Sequence, residues 1–328
     1  MLTLIVLLIA LALVFDFING FHDAANSIAS IIATKVLKPW QALLWGALFN
    51  FIAFFIFPLH VAMTMSTGII EPQYFNNTAI AAALLGAIFF NLSTWWLKLP
   101  SSSSHALIGA LIGIGIMQGG LGSIYWDTIG IVVAFVFIAP VLGMMVAYFL
   151  ILWVPRVHLQ DQKIKFYKVL QLFSSALVSM GHGGNDAQKT MGIIFLLLHT
   201  NGYLQTDASI PIWVVLMCYG VISLGTLVGG WRIIETVGYK ITALKPPSGA
   251  CAEFGAACVL FIANHFGIPI STTHAVTGAI VGVSAYNKNQ FASTNWKIVR
   301  RIFIAWLITF PAAALLSCGV YIILEFFA

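Results

Sequence analysis

Apolar residues run through almost the whole chain, and polar residues gather into short islands between and inside those runs. The apolar stretches are 1–33, 41–63, 79–99, 105–118 and 129–153, then 169–199, 212–230, 249–267, 274–286 and 302–327. Most reach or approach the ~20 residues that an α-helix needs to cross a bilayer. No series of short, strictly alternating segments marks a β-barrel. The pattern predicts an all-α polytopic membrane protein with five passes in each half, 1–153 and 169–328, joined by a polar linker at 154–168. The stretches at 105–118 and 274–286 are short for a full span, and each follows a Pro/Ser turn, so each is expected to be one arm of a re-entrant-type hairpin.

The islands come in matched pairs. Asn19-Gly20-Phe21-His22-Asp23-Ala24-Ala25-Asn26-Ser27 is echoed by Gly181-His182-Gly183-Gly184-Asn185-Asp186-Ala187-Gln188-Lys189-Thr190. Aligned on the aspartates, His22 faces Asn185 and Asn26 faces Lys189. Further on, Pro100-Ser101-Ser102-Ser103-Ser104-His105 is answered by Pro269-Ile270-Ser271-Thr272-Thr273-His274. The chain is a duplication. Gly20 and the run Gly181 to Gly184 predict broken helices, with 1–33 and 169–199 each interrupted near mid-membrane.

Composition sharpens this reading. Charged residues make up 8% of the chain and hydrophobic ones 60%, which excludes an ordinary water-soluble domain. The net charge of +5 is no nucleic-acid signal, because the basic residues sit in loops. Cys218, Cys251, Cys258 and Cys318 lie in apolar segments without a Cys-x-x-Cys and read as small packing residues. The apolar start lacks a basic leader and a cleavage site and runs straight into the Asp23 island, so a retained first helix is expected. With both termini outside, the inner loops hold Lys35, Lys38, the linker cluster with Arg156, Arg232, Lys240, Lys245, Lys288, Lys297, Arg300 and Arg301. The outer loops hold no Lys or Arg and carry Glu71, Asp127 and Asp207. Five passes is an odd number, so the second repeat enters the membrane in the opposite sense. Two inverted-topology repeats place a site at the midplane, where the two hairpin tips meet.

The islands carry complementary chemistry. Ser101, Ser102, Ser103 and Ser104, with Ser271, Thr272 and Thr273, offer hydroxyl donors at two helix starts, whose free N–H groups and positive dipole ends favour an anion. Asp23 and Asp186 hold a sodium ion or a proton, or accept a hydrogen bond from a protonated oxyanion. Phosphate keeps a proton at neutral pH and sulfate does not, so the combination leans toward phosphate. Asn26 and Asn185 add amides and Lys189 adds positive charge. Glu253, inside an apolar segment, and His22 join Asp23 and Asp186 as ligands for the coupling cation or proton. One Ser-rich turn alone is ordinarily capping or helix packing; four islands in two matched pairs are not. His105 and His274 fit a structural link between hairpin arms, and His182 fits either a proton relay or a hydrogen bond across the helix. Trp95, Trp96, Trp126 and Trp153 read as interface anchors.

These residues resemble the inorganic phosphate transporter family, which carries a Gly-x-Asn-Asp-type signature in each half and a Pro-x-Ser-x-x-His block after each. Gly184-Asn185-Asp186 and Pro269-Ile270-Ser271-Thr272-Thr273-His274 match closely. His22 and Lys189 depart in the manner of the bacterial branch. The resemblance implies symport of inorganic phosphate with sodium or protons through the inner (cytoplasmic) membrane, a site at the repeat interface, a homodimer and no cofactor. Sulfate transport by the same fold is the main alternative. A passive anion channel is disfavoured by the carboxylates. An intramembrane hydrolase is disfavoured because neither Gly-x-Ser-x-Gly nor His-Glu-x-x-His occurs. No Gly-x-x-x-x-Gly-Lys-Ser/Thr marks an ATP site.

Overall fold

A computed structural model describes residues 2–154, 161–205, 208–284 and 290–327. Arg156, Asp207 and Lys288 lie outside the described residues. The first half comprises α1 (Leu2–Ala33), α2 (Pro39–Ile52), α3 (His60–Thr67), α4 (Asn77–Trp96), α5 (Ser103–Gly119) and α6 (Trp126–Leu152). The second comprises α7 (Asp161–Thr200), α8 (Ile212–Val228), α9 (Trp231–Glu235), α10 (Pro246–His265), α11 (Thr272–Val283) and α12 (Trp296–Phe327). Among the described residues five helices are long and apolar enough to cross a membrane, and counting each of two bent pairs as one span raises this to seven. Each half has the same order: a long helix, a bent pair, a helix, a short helix and a last long helix.

The bends fall elsewhere than expected. The chain turns by 82° between α2 and α3 and by 62° between α8 and α9. Pro58 stands at the first bend and lacks an N–H to continue a helix. Gly229 stands at the second with a φ of +73°. By contrast α1 and α7 run unbroken through their polar islands. Their glycines serve close packing instead. A Cβ on Gly20 would lie 2.2 Å from the Ile222 carbonyl oxygen, and one on Gly183 would lie 2.5 Å from that of Asn50. An unbroken helix also satisfies its own backbone polar groups, which the membrane interior requires.

Helix α7 is longer than the linker reading allows. It begins at Asp161, so Lys163, Lys165 and Lys168 stand on its first turns and face solvent. At about 1.5 Å per residue its 40 residues extend about 60 Å, roughly twice the ~30 Å hydrocarbon core. Nothing forces a helix to end at the membrane surface when its side chains there are basic and hydrated.

The short helices pack on the last helix of the opposite half, α5 on α12 and α11 on α6. Matched Gly-x-x-x-Gly pairs make this contact. Gly109 and Gly113 of α5 meet the backbone of Phe310 and Ala314, and Gly278 and Gly282 of α11 meet that of Pro140 and Met144. Small residues at this spacing let helix backbones approach where lipid supplies no hydrophobic drive. The two halves are interlocked, and the starts of α5 and α11 are carried to the centre of the molecule. Trp96, Trp126 and Trp153 are exposed, as interface anchors would be. Trp95 instead packs edge-on against Phe21, and the Arg232 guanidinium covers both Trp95 and Trp96.

Candidate functional site

The polar islands come together in one buried cluster. From α1 come Asp16, Asn19, His22, Asp23 and Asn26; from α7 come His182, Asn185, Asp186, Lys189 and Thr190; from the starts of α5 and α11 come the hydroxyl residues. Carboxylate oxygens of Asp23 and Asp186 and a ring nitrogen of His182 lie within 4.8 Å of one another, a spacing that a metal ion can bridge.

The two tips touch. Ser104 Oγ donates to the Ile270 carbonyl at 3.0 Å, and Thr273 Oγ1 donates to the Ser101 carbonyl at 3.1 Å. The His105 and His274 rings meet edge to face with centroids 4.6 Å apart, His105 stacks on Phe310 and His274 on Trp306. These histidines link the starts of α5 and α11 to each other and to α12. The first N–H groups of a helix have no intrahelical partner, so two positive helix ends converge here.

The hydroxyls divide into two kinds. Ser102 is a cap, accepting from the His105 N–H at 3.1 Å. Ser103 donates to Asp23 Oδ2 at 2.7 Å, and Ser101 donates to Thr94 at 2.7 Å. The buried hydroxyls of Ser271 and Thr272 have no hydrogen-bond partner among the described residues. A buried hydroxyl without a partner is costly, and a bound oxyanion would supply one.

The carboxylates are held differently. Asp23 receives His22 Nδ1 at 2.8 Å on Oδ1, and His22 Nε2 reaches Thr94 at 3.3 Å. Asp186 receives the Lys189 ammonium at 2.6 Å and faces His182 Nε2 at 3.3 Å. Lys189 also donates to Ser104 and, at 2.9 Å, to the Ile270 carbonyl. Asn26 donates to Thr273 Oγ1 at 2.9 Å. The Asn185 amide braces the turn before α11, bonding Asn264 at 2.6 Å, the Ile268 carbonyl at 3.1 Å and the Ile270 N–H at 3.2 Å.

These contacts set two helix starts against a pair of buried carboxylates. The phosphate transporter family model matches residues 19–317. The chain belongs to that family. A Rhizobium meliloti protein named a probable low-affinity inorganic phosphate transporter is 50% identical over 97% of this chain and 96% of its own length. A Bacillus subtilis protein of the same name is 38% identical over 99% of this chain and 98% of its own. A solved structure described as the sodium-dependent phosphate transporter superposes with a TM-score of 0.88 at 25% identity, covering 99% of this chain and all of that one. The family places this chain among transport proteins and not among catalysts.

Glu253 belongs to a second cluster. Buried on α10, it accepts from Ser30, from Ser174 at 2.6 Å and from Gln171 at 3.2 Å, and Thr34 donates to Gln171 at 2.8 Å. All its partners are neutral. It shares no hydrogen-bond partner with Asp23 or Asp186.

The family comparison leaves several site residues to the geometry. Asp16 is absent from the sequence-based candidates because it falls inside what reads as an apolar run, and Asn19, at the head of the first polar island, has no role assigned there. Thr190 donates to Asp16 at 3.0 Å, and the other Asp16 oxygen is buried without a partner. Asn19, with its amide oriented to satisfy its neighbours, donates to both Asp23 and Asp186 at 3.3 Å. Asp16, Asn19 and Asp23 are spaced i, i+3, i+7, one stripe of a helix. That spacing was the available signal.

Proposed function

We propose that the chain imports inorganic phosphate across the cytoplasmic membrane by symport with a cation, a sodium ion or a proton. The observation that carries this reading is the meeting of two helix starts over the Asp23–Asp186 pair. The tips supply donors to the bare oxygens of phosphate: the partnerless Ser271 and Thr272 hydroxyls, the hydroxyls of Ser103, Ser104 and Thr273, and free N–H groups. A carboxylate accepts the proton that phosphate retains. Asp23 and Asp186 also hold the coupling cation, because the single Lys189 ammonium leaves one of the two carboxylates uncompensated beside the incoming anion. His22 orients Asp23. Glu253, with only neutral donors around it, is a second site for that cation or proton.

The interlocked packing supports a rocking mechanism. Each tip is anchored through its glycines to the opposite half, so motion of one half against the other opens the shared site to alternate sides. With both termini outside and the linker inside, the two repeats are inverted. Proteoliposomes of purified protein loaded with low phosphate test the reading. Radiolabelled phosphate should accumulate uphill when a sodium or a proton gradient is imposed and should only equilibrate without one. Equilibration under every gradient would make the protein a channel and overturn the proposal.

A further inference from the structure

The internal repeat pairs two sets of oxygen-bearing residues at the meeting of the tips. One consists of the Asp186 carboxylate, the Ser104 hydroxyl and the Ile270 carbonyl. In the alignment of the two halves, Asp186 corresponds to Asp23, Ser104 to Thr273 and Ile270 to Ser101. The mate is therefore the Asp23 carboxylate, the Thr273 hydroxyl and the Ser101 carbonyl. For the hydroxyl and the carbonyl the correspondence is geometric as well as sequential, and for the carboxylate it is that of the aligned sequences. In each cage the hydroxyl donates across the tips to the carbonyl, at 3.0 Å for Ser104 to Ile270 and 3.1 Å for Thr273 to Ser101.

The cages differ in the side chain that enters from the long helix. In the first it is Lys189, which is fully buried and directs all three N–H bonds of its ammonium at the three cage oxygens: Ser104, Asp186 at 2.6 Å and Ile270 at 2.9 Å. In the second it is Asn26, a neutral amide, which bonds only the Thr273 hydroxyl at 2.9 Å. Carboxylate, hydroxyl and carbonyl oxygens are the ligands a hard cation takes, and in transporters freed backbone carbonyls near broken hairpins commonly take that role.

Charge completes the picture. Asp23 and Asp186 are two buried acids, and Lys189 supplies one fixed positive charge, given to Asp186. The partners of Asp23 are His22, Ser103 and Asn19, none of which is a permanent cation. A buried carboxylate without a compensating charge is strongly unfavourable, so the Asp23 side takes a charge from solution while the Asp186 side does not. Asp16 lies two turns up α1, bonded to Thr190, outside both cages.

We propose that Lys189 is a resident cation. Its ammonium permanently fills the second of two mated cation cages, so that the chain carries one mobile cation fewer per phosphate than a symmetric pair of cages would. The mobile cation enters the Asp23, Thr273 and Ser101 cage. This rests on the symport reading above.

The test restores the symmetry and then reverses it. Lys189→Asn gives both cages the same neutral amide, and Asn26→Lys gives both an ammonium. Each variant and the wild type are reconstituted, and the cation gradient that just balances a fixed phosphate gradient gives the number of cations moved per phosphate. Lys189→Asn is expected to raise that number by about one and to steepen the cation dependence of uptake. Asn26→Lys is expected to lower it by about one. An unchanged number in Lys189→Asn together with a raised phosphate KM makes Lys189 a phosphate ligand and overturns the proposal. If Lys189→Asn folds but does not transport, sodium titration at constant ionic strength, read by thermal melting in detergent, decides. A sodium-dependent stabilisation greater than the wild type's supports the resident cation, and none overturns it. Absence of labelled phosphate uptake by the wild type would instead refute the symport reading itself.

Discussion

The Thr273 hydroxyl donates to the carbonyl oxygen of Ser101, 172 residues earlier in the chain, at 3.1 Å. This bond and its mate, Ser104 to Ile270, close the two helix starts against each other at the centre of the protein. Both hydroxyls have further partners, Asn26 for Thr273 and Lys189 for Ser104. Each tip is thus tied at once to the opposite tip and to a long helix. A site built in this way belongs to neither half alone.

Removing one of these hydroxyls should therefore act on both halves. Ser104→Ala and Thr273→Val are each expected to destabilise the protein by about 1–3 kcal/mol through partners left unsatisfied, and to lower phosphate uptake at limiting phosphate. Because the two bonds share one interface, the double variant should lose less than the sum of the singles. Thermal melting and uptake on the three variants check this, and strict additivity would argue that the tips move independently.

The carboxylates should respond unequally. Asp23→Asn and Asp186→Asn are both expected to abolish cation-coupled uptake while the protein still reaches the membrane. Asp186→Asn also strands the buried Lys189 ammonium without its counter-charge, at about 3–5 kcal/mol. Asp23 has no lysine or arginine to strand, so Asp23→Asn should melt close to the wild type. Equal melting temperatures would mean that Lys189 does not depend on Asp186.

Much of this site is legible from the chain because polar residues inside apolar runs are conspicuous and, here, duplicated. Asp23, Asp186 and the two Ser/Thr tips are visible on those grounds, and the structure joins them. What escaped has particular physical causes. A glycine that breaks a helix and a glycine that admits a neighbouring backbone look alike in sequence, so Gly20 and Gly183 pointed to interruptions that do not exist. The real bends at Pro58 and Gly229 carry no polar island to draw notice. Glu253 was visible, but its donors Ser30, Gln171 and Ser174 stand on two other helices, and only tertiary packing brings them together.

Topology is open to direct test. Every outer loop in the proposed orientation lacks Lys and Arg, which is the bias that sets insertion. Epitope tags placed before residue 2, at 122 and after 328 should be accessible from the periplasm of intact cells. A tag near 160 should become accessible only after permeabilisation. A periplasmic linker with cytoplasmic termini would reverse the orientation and, with it, the side to which phosphate is delivered.

Selectivity tests the chemistry of the site most sharply. If phosphate lies between the tips, its bare oxygens take bonds from Thr272 and, once these hydroxyls turn from their present acceptors, from Thr273, Ser103 and Ser104, and its proton goes to Asp23 or Asp186. Sulfate satisfies the donors but meets a carboxylate with no proton between them. A site built to hydrogen-bond a substrate O–H rejects an analogue lacking it by roughly 10⁴-fold or more. Arsenate shares the shape and the proton of phosphate and should compete almost as well as phosphate itself. Thr272→Val combined with Thr273→Val should weaken phosphate and arsenate together, at about 1–3 kcal/mol for each lost partner. Thr272 offers the cleaner single change, since its hydroxyl has no partner among the described residues. The measurement is competition against labelled phosphate uptake at fixed pH. If sulfate competes as well as arsenate, no carboxylate is accepting the substrate's proton, and the site is one for divalent oxyanions in general.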